Sequence, residues 1–369
     1  MLSTPHLARL GDKRRAAQLE QGSETSGTCP VMECLGWASP DRLRENSMKA
    51  AVYYQTGGPD VFRYEEVPDP TIGAGEVLVH VDAVSIEGGD TLNRLGGDIL
   101  RAPHIVGYQC AGTVVSIGEG VSRFAEGDRV VTVGVDGSHA ELRAVGEAFC
   151  WLIPTEVTTE QAACVPVPFG TADDCLFEFG RLQPGETALI HAGASGVGIA
   201  ATQLAKRAGA KVLATASSSS RLDRLVEFGL DHGINYTTAE FVDEVRRLTD
   251  GRGADVIVDS IGGSTLQKSL HCLAYRGRCI TFGDAGREFA TTLDISTMRA
   301  NNQTLVGYFL GAELFLDPRA HAMIARHLAD IASGELRVVI DRRFRLEEAG
   351  EAHAYIESRQ AFGRVLLIP

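Results

Sequence analysis

The 369-residue chain has no run of about 18 uninterrupted apolar residues, the length a membrane-spanning helix needs. It also lacks a basic surplus. Its 35 Lys and Arg face 48 Asp and Glu, giving a formal net charge of -13 and a pI near 5.3. That balance argues against a broad electrostatic footprint for nucleic acid or an anionic membrane and leaves only a local basic patch open. A small-molecule partner is the expectation. No two of the eight cysteines form a C-x-x-C pair, and they are scattered rather than dense as in a small secreted scaffold. Free thiols in a reducing compartment follow, and the expected location is cytoplasmic. The C-x4-C of Cys29 and Cys34 has neither the spacing nor the further ligands of a zinc knuckle.

What is present is ordinary globular material, 44% hydrophobic and 22% charged, enough for a large core and for two or three domains. Residues 1–47 differ from the rest, with early Arg and Lys, then polar turn formers, and no period of 3.6 or 2. They read as a disordered extension; Asp12, Glu20, Glu24 and Glu33 count against a transit peptide. Met48 then opens M-K-A-A-V-Y-Y as a first strand. Residues 48–168 show short β-rich runs (VLVHVDAV, AGTVVSIG, DRVVTVG, HAELRAV) punctuated by Gly and Pro, the pattern of a barrel-like β domain.

From Phe169 the rhythm becomes strand, helix, strand, which calls for a parallel doubly wound α/β sheet over residues 169–310. Its strands are expected in TALIHAG, KVLATA, GINY, ADVIVDSI, RCITFG and TLVGYFL. Residues 311–369 should add a helix (319–333), a strand at RVVID, a helix over 346–359 and a last strand VLLIP, returning to close the first domain.

The strongest local signal is T-A-L-I-H-A-G-A-S-G-V-G-I-A-A-T-Q-L-A-K, an apolar strand, a glycine-rich turn and a helix in order. Gly193, Gly196 and Gly198, with Ser195 among them, are the expected pyrophosphate contacts. The glycines let backbone approach the phosphates, whose charge is met by N–H groups at the helix N-terminus. A turn with only a packing role is the alternative. After the second strand, K-V-L-A-T-A-S-S-S-S-R-L, no acid precedes Asp223. An NAD site wants a carboxylate there for the ribose 2′-hydroxyl. Ser217 and Arg221 instead suit a 2′-phosphate, so NADPH is the expected cofactor. The competing picture is a solvated serine loop with Arg221 on a helix surface. Tyr236 either covers the adenine or reaches the phosphate, or it is a buried strand tyrosine.

With M-K-A-A-V, G-Y-Q-C-A-G-T-V-V-S-I-G, G-D-R-V, the glycine-rich turn, V-D-S-I-G-G and E-S-R-Q-A-F-G-R-V-L-L-I-P in this order, the chain resembles the medium-chain dehydrogenase/reductase superfamily, within it the quinone oxidoreductase and zeta-crystallin branch. The resemblance spans Met48 to Pro369. It implies a GroES-like catalytic domain built from both ends of the chain around a Rossmann domain, and a homodimer. It implies that Gly196, Val197 and Gly198 form the pyrophosphate loop, that Ser217, Arg221 and Tyr236 take the 2′-phosphate and adenine positions, that Thr171 approaches the nicotinamide, that Ser260, Phe282 and Gly283 line the cofactor cleft, and that Arg364 replaces the commoner late lysine.

Zinc-dependent members carry an early Cys, a G-H-E motif and a later Cys, plus four close structural cysteines. This chain reads Gly107-Tyr108-Gln109 at the G-H-E position and has no cysteine around S-I-E-G-G-D-T. Zinc independence is implied, and with it reduction of a conjugated acceptor rather than simple alcohol oxidation. Where the branch often has Asn, this chain has Glu87 ahead of Asp90; Glu87 is expected either to turn outward or to be neutral through burial. Tyr108, Thr91 and Glu87 are the candidates for oxyanion stabilisation or proton delivery, against a structural role for each. The readings carried forward are an NADPH-dependent quinone or enone reductase, an enoyl-thioester reductase, and a catalytically idle nucleotide-binding sensor or scaffold.

Overall fold

The computed structural model describes residues 46–99, 101–289 and 292–369. The extension ahead of residue 46 lies outside them, so the expectations made for it are not addressed by the structure. Three sheets carry the body from Met48 to Pro369. Strands β1 (Ser47–Val52) and β2 (Arg63–Pro68) form a ribbon. β3 (Glu76–Ser85), β4 (Gln109–Ile117), β5 (Arg129–Val133), β6 (Leu142–Gly146) and β7 (Cys150–Leu152) build an antiparallel sheet. Alternation buries Val77, Val79, Val81 and Ala83 of β3 while His80 and Asp82 face water, as a half-solvated antiparallel strand requires.

The third sheet is six-stranded and wholly parallel: β8 (Thr187–Ile190), β9 (Lys211–Ala216), β10 (His232–Asn235), β11 (Ala254–Asp259), β12 (Leu273–Thr281) and β13 (Thr304–Gly307) lie in the order β10-β9-β8-β11-β12-β13. β8 and β11 are completely buried or nearly so, because helices cover both faces of a parallel sheet. The order reverses between β8 and β11, and ligands bind at the carboxyl ends of the strands beside such a switch point.

The tail adds β14 (Ile340–Arg345) and β15 (Arg364–Ile368) to the first sheet, β15 pairing antiparallel with β3 at Leu366–Ser85 and Leu367–Val84. Several boundaries differ from the sequence expectation. The strand expected at RVVID begins only at Ile340 and runs to Arg345, because its register is set by β15. The border at 168/169 falls inside the helix Pro166–Asp173, which Pro166 starts. The helix Pro318–Ser333 packs into a core common to both sheets: Ala320, Met323, Ile324 and Leu328 share it with Ile190, Val256 and Ile280 of the parallel sheet and with Val131, Val133 and Trp151 of the antiparallel one. The helix Gly88–Gly96, absent from the sequence reading, also forms; its Arg94 is fully buried against Glu357 of the helix Ala349–Glu357.

Candidate functional site

Beyond β8 the chain must turn within a few residues, and steric limits explain its composition. A Cβ on Gly193 would sit 2.8 Å from the Ala214 Cβ, and one on Gly198 2.4 Å from the Ala192 carbonyl oxygen. Ser195 caps the helix Gly196–Arg207, its Oγ accepting from the Gly198 N–H at 3.0 Å. The other first-turn N–H groups have no intrahelical partner, and the helix dipole adds positive potential there. This cradle fits a diphosphate. Val197 lies within it, and Thr171 is buried on the helix Pro166–Asp173, which packs against the helix Gly196–Arg207.

The end of β9 forms a second corner. Arg221 donates through Nη2 to the Ser217 hydroxyl and through Nη1 to the carbonyl of Arg359. Tyr236, whose N–H bonds the Ala216 carbonyl at 3.2 Å, is 43% exposed. It is therefore not a buried strand tyrosine. The Arg221 guanidinium stands at this strand end without a carboxylate, held in part by the backbone of Arg359, whose own guanidinium donates to the Ala285 carbonyl at 3.4 Å. Arg359 escaped the sequence reading because only the return of the distant C-terminal helix brings it here; no local motif marks it.

The third group stands where β3 ends. Glu87, 4% exposed, points inward and is bonded by Arg364 and by the Gln109 amide. Of the two sequence expectations, outward or buried, burial holds. Arg364 also donates to the Ser85 hydroxyl (Nε at 2.9 Å, Nη2 at 2.8 Å) and to the Ile86 carbonyl at 2.6 Å. Gln109 spends its carbonyl on the Val167 N–H at 3.0 Å. Fully buried Asp90 accepts from the Glu87 N–H at 2.8 Å and the Tyr108 N–H at 3.1 Å.

Burial pushes the Glu87 carboxyl up to about 8 despite the opposing Arg364 charge, and that of Asp90 up to about 7. One guanidinium bonded to one of two buried, adjacent carboxyls is why the cluster holds protons. The Tyr108 ring packs over Gly89, where a Cβ would come within 2.3 Å of it, and its hydroxyl accepts from Asn93 at 3.1 Å. Burial raises the phenol well above its usual range, so it stays protonated. The Thr91 hydroxyl donates to the Gly88 carbonyl of its own helix at 2.8 Å, and the side chain is buried next to Asp90 in sequence.

Ser260, Phe282 and Gly283 follow β11 and β12. The Phe282 N–H bonds the Asp259 carbonyl at 3.0 Å, and the Ser260 carbonyl accepts from Ala285 at 3.0 Å. Phe282 and Gly283 line a cavity of about 660 Å³ together with Phe179, Gly262, Tyr308 and Phe309. Ser260 is not on its wall, nor are Glu87, Tyr108, Thr171 or the glycine-rich turn. The sequence-derived residues thus fall into four neighbourhoods rather than one pocket. Arg364 joins the first and third, since a Cβ on Gly196 would meet its Cδ at 2.4 Å and its Nη1 at 2.7 Å.

Two family models match, the alcohol dehydrogenase GroES-like domain over residues 73–155 and the zinc-binding dehydrogenase domain over residues 196–332. The chain is 30% identical to a 2-haloacrylate reductase from a Burkholderia species over 332 residues, 87% of this chain and 98% of that one. It is 32% identical to a quinone oxidoreductase of Pseudomonas aeruginosa over 318 residues, 85% and 97% of the two chains. The crystal structure of Escherichia coli quinone oxidoreductase complexed with NADPH superposes with a TM-score of 0.83 at 28% identity, covering 87% of this chain and all of that one. The antiparallel sheet closed by the tail, the parallel sheet in 3-2-1-4-5-6 order and these matches agree: the chain belongs to the medium-chain dehydrogenase/reductase superfamily, in its quinone oxidoreductase branch.

Proposed function

We propose that the protein is an NADPH-dependent, zinc-independent reductase that passes hydride to a quinone or an α,β-unsaturated carbonyl, working in the cytoplasm as a homodimer. The observation that carries this reading is the pairing of a diphosphate cradle at Ser195–Gly198 with a carboxylate-free corner at Ser217, Arg221 and Tyr236. Relatives named for quinone and 2-haloacrylate reduction, and the E. coli enzyme solved with NADPH, support it. Among the described residues no helix is long and apolar enough to cross a membrane.

The bound dihydronicotinamide supplies the hydride. The chain's own work is to hold and orient it and to manage charge on the acceptor. The cradle holds the diphosphate, Ser217 and Arg221 the 2′-phosphate, Tyr236 the adenine side, and Thr171, Ser260, Phe282 and Gly283 the nicotinamide side. Tyr108 keeps its phenolic proton and donates it as a hydrogen bond to the oxygen that gains charge. Glu87 holds a proton deeper in the same cluster.

Zinc has no part in this reading, because its ligand positions are taken by other work. Tyr108 packs on Gly89, and Gln109 is bonded to both Glu87 and the Val167 amide. Following NADPH absorbance against quinones, enones and enoyl thioesters tests the reading. Turnover with the first two supports it; turnover only with thioesters selects the enoyl-thioester reductase, and binding without turnover selects the idle protein.

A further inference from the structure

The glycine-rich turn and the buried carboxyls sit on different domains, yet they are physically joined. The Gly363 N–H donates to the Ala194 carbonyl at 2.9 Å, and Ser195 and Gly363 form a bridge, so the start of β15 is stitched to the turn. The next residue, Arg364, lays its Cδ and Nη1 where a Gly196 side chain would be and ends on Glu87. A single buried guanidinium thus touches the diphosphate cradle with its stem and a buried carboxyl with its head.

We propose that occupation of the cradle by the cofactor diphosphate drives uptake of a proton from solvent onto Glu87, with Arg364 as the link between the two. The sign follows from charge. In the free protein the Arg364 cation opposes protonation of Glu87. Negative phosphate charge beside the same guanidinium draws on its field and adds to the negative potential at Glu87, so the neutral carboxylic acid becomes favoured.

The groups facing Glu87 are few: Arg364 from β15, Asp90 from the helix Gly88–Gly96, Gln109 of β4 with Tyr108 before it, and the buried Cys164 thiol. Arg143 of β6 acts on Asp90. None of these adds a second cation bonded to Glu87, and the Cys164 thiol is pushed up to about 11 by burial and stays neutral. The proton that loads on Glu87 therefore accompanies binding and precedes reduction. Protonation involves no redox change: each carboxylate neutralised consumes one solvent proton, and because burial already holds the Glu87 carboxyl up to about 8, only the fraction ionised in the free protein takes one up.

This inference rests on the NADPH-binding reading, and its test separates the two. Isothermal titration calorimetry of the full chain with NADPH, in buffers of differing ionisation enthalpy between pH 7 and 9, reads protons taken up per cofactor bound. Uptake of a few tenths of a proton is expected in that range, and Glu87→Gln should bring it close to zero. ADP-ribose, which carries the diphosphate without the 2′-phosphate, should give the same uptake.

Difference infrared spectra of the unaltered protein should gain a protonated-carboxyl band and lose a carboxylate band on binding, a readout that needs no variant. No binding heat would defeat the cofactor reading itself. Binding without proton uptake or without the carboxyl bands, uptake that survives Glu87→Gln, or uptake seen with NADPH but not ADP-ribose would overturn the proposal.

Discussion

The Arg364 guanidinium donates to the Glu87 carboxyl with both side chains at least nine-tenths buried, one on strand β15 and the other just past the end of β3. Removing one partner of such a pair strands the other in a poor solvent. Arg364→Met should destabilise the protein by about 3 kcal/mol at pH 8. The double variant Arg364→Met/Glu87→Gln should recover much of that loss, read by urea denaturation. Equal stability of single and double variants would show that the pair is not coupled.

Stability should fall as pH rises across the neutral range because of Glu87 and Asp90. Their folded pKa values, about 8 and about 7, lie above the ordinary carboxyl values of 4.5 and 3.8, so the native state binds more protons than the unfolded chain between those limits. Each group contributes stability that is fully present near pH 4 and is lost as pH approaches its folded value, with a slope of at most about 1.4 kcal/mol per pH unit. Glu87→Gln should flatten the fall between pH 5 and 8. An unchanged slope would show that Glu87 is ionised throughout.

Acid should weaken the protein through a different pair. His139 and His353 are buried with their Nε2 atoms 3.1 Å apart, fixing the helix Ala349–Glu357 to the β domain. Burial holds His139 down to about 3 and His353 well below its ordinary value. A depressed histidine contributes stability above pH 6.5 that is lost as pH falls toward its folded value. Between pH 6.5 and 4.5 the two histidines therefore act against Glu87 and Asp90, whose stabilisation grows as pH falls, and His353→Gln should make the melting temperature rise more, or fall less, on acidification than in the unaltered protein.

Gly198→Ala should disrupt the cradle, because the new Cβ meets backbone oxygens at 2.4 and 2.6 Å that have nowhere to move. NADPH affinity should fall at least roughly tenfold and stability by about 1–3 kcal/mol. Gly88→Ala, where a Cβ meets nothing within 4 Å, is the matched control and should be close to neutral for both. A neutral Gly198→Ala would mean that the turn has room the geometry denies.

Much of this was legible in the sequence because the signals are local. An apolar run, a glycine turn and a helix beginning V-G-I-A-A sit together between Thr187 and Arg207, so periodicity and steric need mark them without a structure. The serines and arginine after β9 are likewise consecutive with the strand they end. What was not legible depends on parts far apart in the chain. Arg359 lies 138 residues from Arg221, and Arg364 lies 277 residues from Glu87. The direction in which Glu87 turns was open because nothing in S-I-E-G-G-D-T shows that an arginine from the last strand waits inside. The helix Gly88–Gly96 was missed because two of its first residues are glycines, and burial of Arg94 against Glu357 overrides their propensity.

The proposed preference for NADPH assigns the 2′-phosphate to Arg221, which reaches both Ser217 and the Arg359 carbonyl. Arg221→Ala should weaken NADPH binding roughly 10- to 100-fold, the loss of a charge-assisted phosphate contact, while leaving NADH nearly unchanged. Equal loss for both cofactors would make Arg221 a structural clamp between β9 and the tail.

The most direct test of the central claim is the initial rate of NADPH and NADH oxidation by the purified full chain, with a quinone and an enone as acceptors, before and after prolonged chelation. The proposed function predicts turnover with at least one acceptor, a preference for NADPH of tenfold or more, and no change on chelation. A preference for NADH, activity lost together with stoichiometric zinc, or no oxidation of NADPH by either acceptor would contradict it.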